Sequence, residues 1–261
     1  VELVPAASAA ERDQLLQAGQ VDGIITDLVA LALYNRAAAR AAVRIIAVRY
    51  AMVPTADFAQ FRVMASAQSG ITGAEGLRNV PIGISQGTVI EYVTVRLLEA
   101  EGLATDAIST VAVPKIPDRM ALLNAGELGA ATLPEPLASL AMQEGASVVV
   151  DDARYPELSC SIFAFNRDVI KAQPKTVRGF LAAIDQASAV VNADKARWDG
   201  LLTEKGLVPP PLVGRYQLPD YPGSALPTEA QFADVVAWLK STVFFQAAAG
   251  IRDVVDASFA R

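Results

Sequence analysis

The side chains best suited to chemistry fall in four short segments, each placed where an apolar run meets the start of a helical pattern. PAASAAE (5–11) carries Ser8 and, three residues on, Glu11. Thr26 and Asp27 close the run GIIT. Ser85, Gln86, Gly87 and Thr88 follow VPIGI, with Glu91 three residues beyond Thr88. Glu135 stands between Pro134 and Pro136. In open α/β sheets such loops, at the carboxyl ends of strands, are where ligands sit. Helix N-termini there offer free N–H groups and a partial positive charge, which suit a carboxylate, sulfonate or nitrate. Asp27 and Glu135 point the other way, because a carboxylate accepts from an amine or a ring N–H. The expected ligand is therefore small and polar, either anionic or heteroaromatic. Plainer readings stand beside these. Ser8 with Glu11, and Thr88 with Glu91, form capping boxes that need do nothing but cap. The 85–88 stretch reads equally as a tight turn, although Gly87 would let a ligand approach the backbone closely. Tyr92 and Tyr155 can line a pocket or pack. Cys160 reads as a small buried apolar side chain.

Absences narrow the chemistry further. The chain has no histidine and one cysteine. Ser-His-Asp and Cys-His nucleophile sites cannot be built from it, nor can metal sites with imidazole ligands. Acid–base work near neutral pH would fall to a perturbed carboxylate, lysine or tyrosine. There is no glycine-rich phosphate loop and no cluster of metal ligands in the sequence. The expectation is a protein without cofactor or metal that is not an enzyme. A net charge of −6 makes nucleic acid and anionic membrane poor partners. No apolar run reaches the length of about 18 residues that a membrane span needs, and Arg36, Arg40 and Arg44 interrupt the alanine-rich stretch.

The elements that must position these residues alternate between strand and helix over the first 150 positions or so. Strands are expected at 2–4, 23–26, 43–51, 61–65, 80–84, 110–113, 129–132 and 147–150, and helices at 9–18, 27–40, 88–101, 118–124 and 136–143. This alternation predicts parallel sheets with right-handed crossovers. The chain also repeats itself. Residues 15–32 read LLQAGQVDGIITDLVALA, and residues 122–139 read LLNAGELGAATLPEPLAS. Arg12 and Arg119 stand at the same place upstream of each copy. Two copies predict two similar α/β lobes facing a cleft. FRVMASAQ (61–68) and SCSIFAF (159–165) read as the segments where the chain crosses between lobes. Beyond Asn166 the pattern turns helical, with a long helix over 175–192, a second over 193–204, a Pro/Gly-rich irregular stretch over 209–227, and a helix opened by the capping box Thr228/Gln231. Phe244, Phe245 and 254–259 are expected to pack back on a lobe.

In their order and spacing, QAGQVDGIITD, VPIGISQGTVIEYVTVRLLEAEGL, LLNAGELGAATLPEPLASLAMQEGASVVVDD and FNRDVIKAQPKTVRGFLAAIDQA resemble the solute-binding proteins of ABC transporters. The nearest group is the class that binds nitrate, sulfonates and thiamine-pyrimidine precursors. The resemblance implies a two-lobe type II periplasmic-binding-protein fold with two crossover hinge strands, without the N-terminal β-α unit that members carry before the strand where this chain starts. It implies lobe I at 1–68 plus 160–261 and lobe II at 79–158. It further implies capture of a solute in the cleft, delivery to an ABC transporter permease, and a periplasmic or lipid-anchored extracellular location. The positions it assigns to ligand binding are Ser8, Thr26, Asp27, Ser66, Ser85, Gln86, Gly87, Thr88, Glu135 and Cys160. The family also includes pyrimidine-synthesising enzymes with a site histidine and a cysteine-rich segment, which this chain lacks. Two other readings share the two-lobe expectation. One is a lyase or dehydratase on the same fold. The other is the effector-sensing domain of a LysR-like regulator, which would need a helix-turn-helix that the sequence does not show.

Overall fold

The computed structural model describes residues 1–6, 8–36, 44–242 and 250–259. In chain order the helices and strands are α1 (Ala9–Gln17), β1 (Gly23–Thr26), α2 (Leu28–Asn35), β2 (Ile45–Met52), β3 (Phe61–Ala65), β4 (Pro81–Ile84), α3 (Val89–Ala100), β5 (Ser109–Ala112), α4 (Ile116–Asn124), β6 (Ala130–Pro134), α5 (Leu137–Gln143), β7 (Ser147–Asp151), β8 (Ser161–Asn166), α6 (Arg167–Ala172), α7 (Pro174–Ala193), α8 (Asp199–Glu204), α9 (Glu229–Ser241) and α10 (Ile251–Val254). Helix α2 stops at Asn35, where Arg36 turns extended, short of the expected Arg40; positions 37–40, the start of β2 at Val43 and the pair Phe244–Phe245 lie outside the described residues. No strand forms at 2–4: Leu3 is 86% exposed. An apolar pattern becomes a strand only where a ladder takes up its backbone groups, and residues 1–6 have none.

The chain divides into two compact units. The first comprises Val1–Val53, Cys160–Val190 and Tyr221–Arg261, and the second Pro54–Ser159 and Val191–Asp220. The limits differ from the sequence expectation at two places. Phe61–Ala65 is an interior strand of the second unit's sheet, and the stretch around Val208 and Leu212 buries its side chains against Leu140 of α5.

The first unit is built on a three-stranded sheet in the order β1-β8-β2. The central strand β8 runs antiparallel to both neighbours, with Thr26 opposite Ile162 and Tyr50 opposite Ile162. Its residues alternate: Ile162 and Ala164 are fully buried, while Phe163 and Phe165 each meet Phe180 of α7 edge to face at 5.6 Å. Ile46, Val48, Val177 and Leu181 complete that core. Helix α2 is apolar nearly all round and is buried over most of its length, as such a helix must be.

The second unit holds a five-stranded sheet in the order β5-β4-β6-β3-β7. Strands β5, β4 and β6 are mutually parallel, and β3 runs antiparallel to β6 and β7. Helices α4 and α5 cover one face through Leu123, Ala138 and Ala141 against Met64, Ala131 and Leu133. Helix α3 covers the other, where the hydroxyls of Thr94 and Thr132 meet at 2.6 Å in the core.

Neither sheet is thus parallel as the β-α alternation predicts: both pairings of the first are antiparallel, and the second is mixed. The exceptions are the two segments read as crossings. Strand β3 is the first strand after the chain enters the second unit at Pro54, and β8 the first after it returns at Cys160. Neither arrives through a β-α-β crossover, so the rule that keeps such strands parallel does not act on them. The internal repeat is real at the level of backbone. Helices α1 and α4 end alike, in Gly19 at φ 68° and Gly126 at φ 75°. Each glycine N–H bonds back to Leu16 or Leu123, and the next N–H to Leu15 or Leu122. These are Schellman stops, which need the left-handed conformation that glycine adopts freely.

Gly23 tests the packing of the first unit. It pairs with Phe165, and a Cβ there would come within 2.7 Å of two ring carbons of Phe165 and 3.1 Å of the Ala164 carbonyl. Phe165 is held against Phe180, so the ring has little room to yield. Gly23→Ala should lower stability by about 1–3 kcal/mol, read as a lower urea midpoint at unchanged slope.

Candidate functional site

The direction of the strands decides which candidate residues meet. In the second unit the carboxyl ends of β4, β5 and β6 lie together, since Gly83 pairs with Val111 and with Ala131. The loops leaving them carry Ser85–Thr88, Pro114 and Glu135. Strand β3 reaches the same end with its beginning: Phe61 is opposite Pro134, and the Glu135 N–H bonds to the Gln60 carbonyl at 3.1 Å. Ser66 leaves the far end of β3, and its N–H bonds to Gly129, just before β6 begins. Ser66, which the resemblance assigns to ligand binding, thus lies at the opposite end of the sheet from Ser85 and Glu135. An antiparallel β3 puts Gln60, Phe61 and Arg62 where a parallel strand would have put Ser66.

The 85–88 turn is closed by its own side chains. Thr88 donates its hydroxyl to the Ser85 carbonyl at 2.7 Å and accepts from the Ile90 N–H at 3.2 Å. Gly87 stands at φ 72°, and its N–H is bound by Glu91 at 2.6 Å. The expected box is displaced by one residue, with Glu91 holding the N–H of Gly87 in place of that of Thr88. Gln86 is exposed. Ser85 donates its hydroxyl to Pro114 at 3.1 Å and accepts from Arg119. Arg119 is fully buried. Its Nε donates to the Val113 carbonyl at 3.0 Å and its Nη1 to the Thr132 carbonyl at 2.6 Å. One guanidinium thus ties together the ends of β4, β5 and β6. Burial pushes its pKa down to about 10.

Glu135 is almost wholly buried and forms an ion pair with Arg62, whose Nε also lies 3.7 Å from Asp151. The Glu135–Pro136 peptide bond is cis. Burial lowers the pKa of Arg62, against the opposing pull of Asp151 and Asp152. The carboxylate that the sequence offered to a ligand thus has a cation of its own. Beside it, Asp152 is fully buried and accepts from the N–H groups of Gln60 at 2.8 Å and Phe61 at 3.2 Å and from the Ser159 hydroxyl. Tyr92 is a core residue of α3, while Tyr155 donates to Glu101 at 2.9 Å.

In the first unit, antiparallel β8 brings its start to the end of β1, so Thr26, Asp27 and Cys160 are neighbours. Asp27 caps α2, accepting from the Ala30 N–H at 2.9 Å. Burial raises its carboxyl above the usual range, with Arg12, 3.9 Å away, pulling it back. The hydroxyl of Thr26 is buried and has no hydrogen-bond partner among the described residues. Ser8 caps α1 by accepting from the Glu11 N–H at 3.2 Å. Cys160 is buried, and burial, reinforced by nearby Asp27, lifts its thiol above the ordinary range. Tyr50 of β2 faces Cys160. It is pushed up to about 12 mainly by burial and donates to Gln231 at 2.6 Å.

Sequence reasoning missed Arg62, Arg119 and Asp152. Arg119 carried a signal, as the partner of Arg12 in the repeat. For the other two the signal lies only in the register of β3. Among the described residues no group of histidine, cysteine, aspartate or glutamate could hold a metal ion, and no helix is long and apolar enough to cross a membrane.

A model of the NMT1-like family matches residues 1–200. No curated protein matches the chain. Among solved structures, the alkanesulfonate-binding protein SsuA from Xanthomonas axonopodis pv. citri, bound to MOPS, is 18% identical with a TM-score of 0.76, over 97% of this chain and 86% of that one. The periplasmic nitrate-binding protein NrtA from Synechocystis PCC 6803 is 12% identical with a TM-score of 0.76, over 99% and 78%. The desulfurization enzyme DSZB is 15% identical with a TM-score of 0.64, over 90% and 83%. At these identities the likeness establishes the fold, an α/β fold of the periplasmic-binding-protein kind.

Two predictions follow from the buried groups. Burial raises Asp152 from 3.8 to about 6, against the hydrogen bonds it accepts. Its protonated form is thus favoured in the folded state. The resulting stability is fully present below about pH 4 and fades as the pH rises through 6; its size is at most about 3 kcal/mol. Urea midpoints between pH 4.5 and 7.5 should fall less steeply with pH in Asp152→Asn than in the parent. An equal slope in both would remove Asp152 as the source. The second concerns Cys160: at pH 8 iodoacetamide should label it only after unfolding, as read by mass spectrometry.

Proposed function

The chain belongs to the NMT1-like family, and on that premise we propose that it is an extracytoplasmic solute-binding protein, one that captures a small polar solute, anionic or heteroaromatic, for the permease of an ABC transporter. The observation that carries the reading is the gathering of hydrogen-bonding groups at the carboxyl ends of strands in each unit, on a fold shared with SsuA and NrtA. The groups assigned to the solute are Ser8, Thr26, Asp27 and Cys160 in the first unit, and Ser85, Gln86, Gly87, Thr88 and Glu135 in the second. Ser66 is left out, because the register of β3 takes it to the other end of the sheet. The units, with Val191–Asp220 assigned to the second, serve as the lobes of this reading.

The chemistry of the groups supports binding over turnover. Polar atoms are fixed by caps, by Arg119 and by backbone bonds, which preorganises a site at little cost in ordering on binding. The sole thiol is buried and held protonated, the opposite of an activated nucleophile. The fold by itself does not separate the readings, since DSZB is an enzyme.

Native mass spectrometry of protein released gently from its host should show a small adduct whose mass equals that of a solute recovered unchanged on denaturation. A solute that restores the adduct to stripped protein should also raise the melting temperature. Recovery of a converted product would replace binding with catalysis. Retention of nothing, with no stabilisation by nitrate, alkanesulfonates or aminopyrimidines, would defeat the proposal.

A further inference from the structure

Thr26 and Asp27 present an imbalance that the protein itself does not relieve. Thr26 is 3% exposed, and its hydroxyl has no hydrogen-bond partner among the described residues. A buried hydroxyl left so is costly, and native structures rarely keep one without a reason. Asp27 beside it is 5% exposed. Its carboxylate accepts from the backbone N–H groups of Ala30 and Val29 at the start of α2, and Arg12 stands 3.9 Å from Oδ2, too far for a hydrogen bond. Arg12 is engaged elsewhere: its Nε and Nη2 both lie 2.9 Å from Asp13. Among the described residues, Arg12 is the cation whose charge acts on Asp27. Cys160 is a protonated thiol, and the Tyr50 hydroxyl is given to Gln231. An anion brought here would meet a desolvated carboxylate, and the N-cap position it would seek on α2 is already filled by Asp27.

Building on the proposed solute-binding role, we propose that the end of β1 recognises an N–H donor on the solute, an amidine, amine or ring N–H, through the Asp27 carboxylate and the Thr26 hydroxyl. A donor pair would give Thr26 its missing partner and Asp27 a charge-assisted bond in a dry setting, where such bonds are strongest. The conflict between anion and donor in the sequence resolves in this unit in favour of the donor. Glu135 does not share the role, because Arg62 already neutralises it.

The test uses two probes of nearly one shape. Benzamidine presents two N–H donors on a planar cation, and benzoate two acceptor oxygens on a planar anion. Calorimetry with the whole protein should show benzamidine binding at least tenfold more tightly than benzoate. Asp27→Asn keeps a good N-cap, and it should weaken benzamidine at least tenfold while leaving benzoate unchanged or stronger. Thr26→Val should weaken benzamidine severalfold with a melting temperature equal to or above the parent's, since it removes an unpaired hydroxyl. That variant keeps the test open should Asp27→Asn fail to fold. Preference for benzoate or methanesulfonate, or benzamidine binding indifferent to both substitutions, would overturn the donor assignment and leave solute binding standing. Failure of benzamidine, benzoate, methanesulfonate and nitrate alike would overturn both.

Discussion

One antiparallel strand set among parallel ones governs where the chemistry of each unit lies. Parallel strands send their carboxyl ends, and the loops that open helices, to one side of a sheet. A strand of opposite direction brings its beginning to that same side. In the second unit β3 delivers Gln60, Phe61 and Arg62 to the ends of β6 and β7. In the first unit β8 delivers Cys160 to the end of β1. The polar contacts of Glu135 and Asp152 are shaped by the residues that β3 brings there, whereas those of Asp27 come from α2 and from Arg12 of α1.

The buried charges are handled by different means, and the differences are physical. Arg119 has no carboxylate among its bonded partners; it spends its planar fork on carbonyls and one hydroxyl. Guanidinium tolerates this because it is weakly hydrated and has five donors in fixed geometry. Asp152 answers burial with two backbone N–H groups and a serine. Those bonds favour the charged form, yet desolvation outweighs them and the carboxyl still rises. Arg62 and Glu135 neutralise each other. Arg119 and Asp152, with their hydrogen bonds made in these ways, act as rigid supports, because leaving either unpaired in the interior is costly.

Local structure was legible in the sequence because its causes are local. The Leu-Leu-x-Ala-Gly repeat names its own Schellman stop, since only the glycine position needs a left-handed backbone. Thr228 and Gln231 do form the reciprocal capping box that their spacing implies. Asp27 and Thr88 do cap their helices. What stayed hidden is set by partners distant in sequence. The direction of β3 cannot be read from Phe61–Ala65, whose alternation is the same in either sense. The end of the sheet to which Ser66 belongs was therefore not legible, and Arg62 was passed over. The apolar pattern at 2–4 read as a strand because periodicity reports what a segment can bury. It does not report whether an edge is there to receive it.

The repeat shows how one backbone unit is turned to two electrostatic ends. In each copy a helix stops at glycine, a short strand follows, and a loop opens the next helix with a carboxylate near its start: Asp27 in one, Glu135 in the other. Had both carboxylates stayed as bare as the sequence suggests, both loops would repel anions. The inserted strands break the symmetry. Strand β3 sets Arg62 against Glu135, so that loop carries a compensated pair, and nearby Arg119 adds a buried positive charge. Strand β8 brings only a neutral thiol to Asp27, whose nearest cation is turned toward Asp13. The Glu135 loop thereby holds a carboxylate with a paired cation, and the Asp27 loop one whose cation stands 3.9 Å away, although the two copies read almost alike. The difference follows from which residues lie beside each loop from outside the repeat, which is why no comparison of the copies with each other could have revealed it.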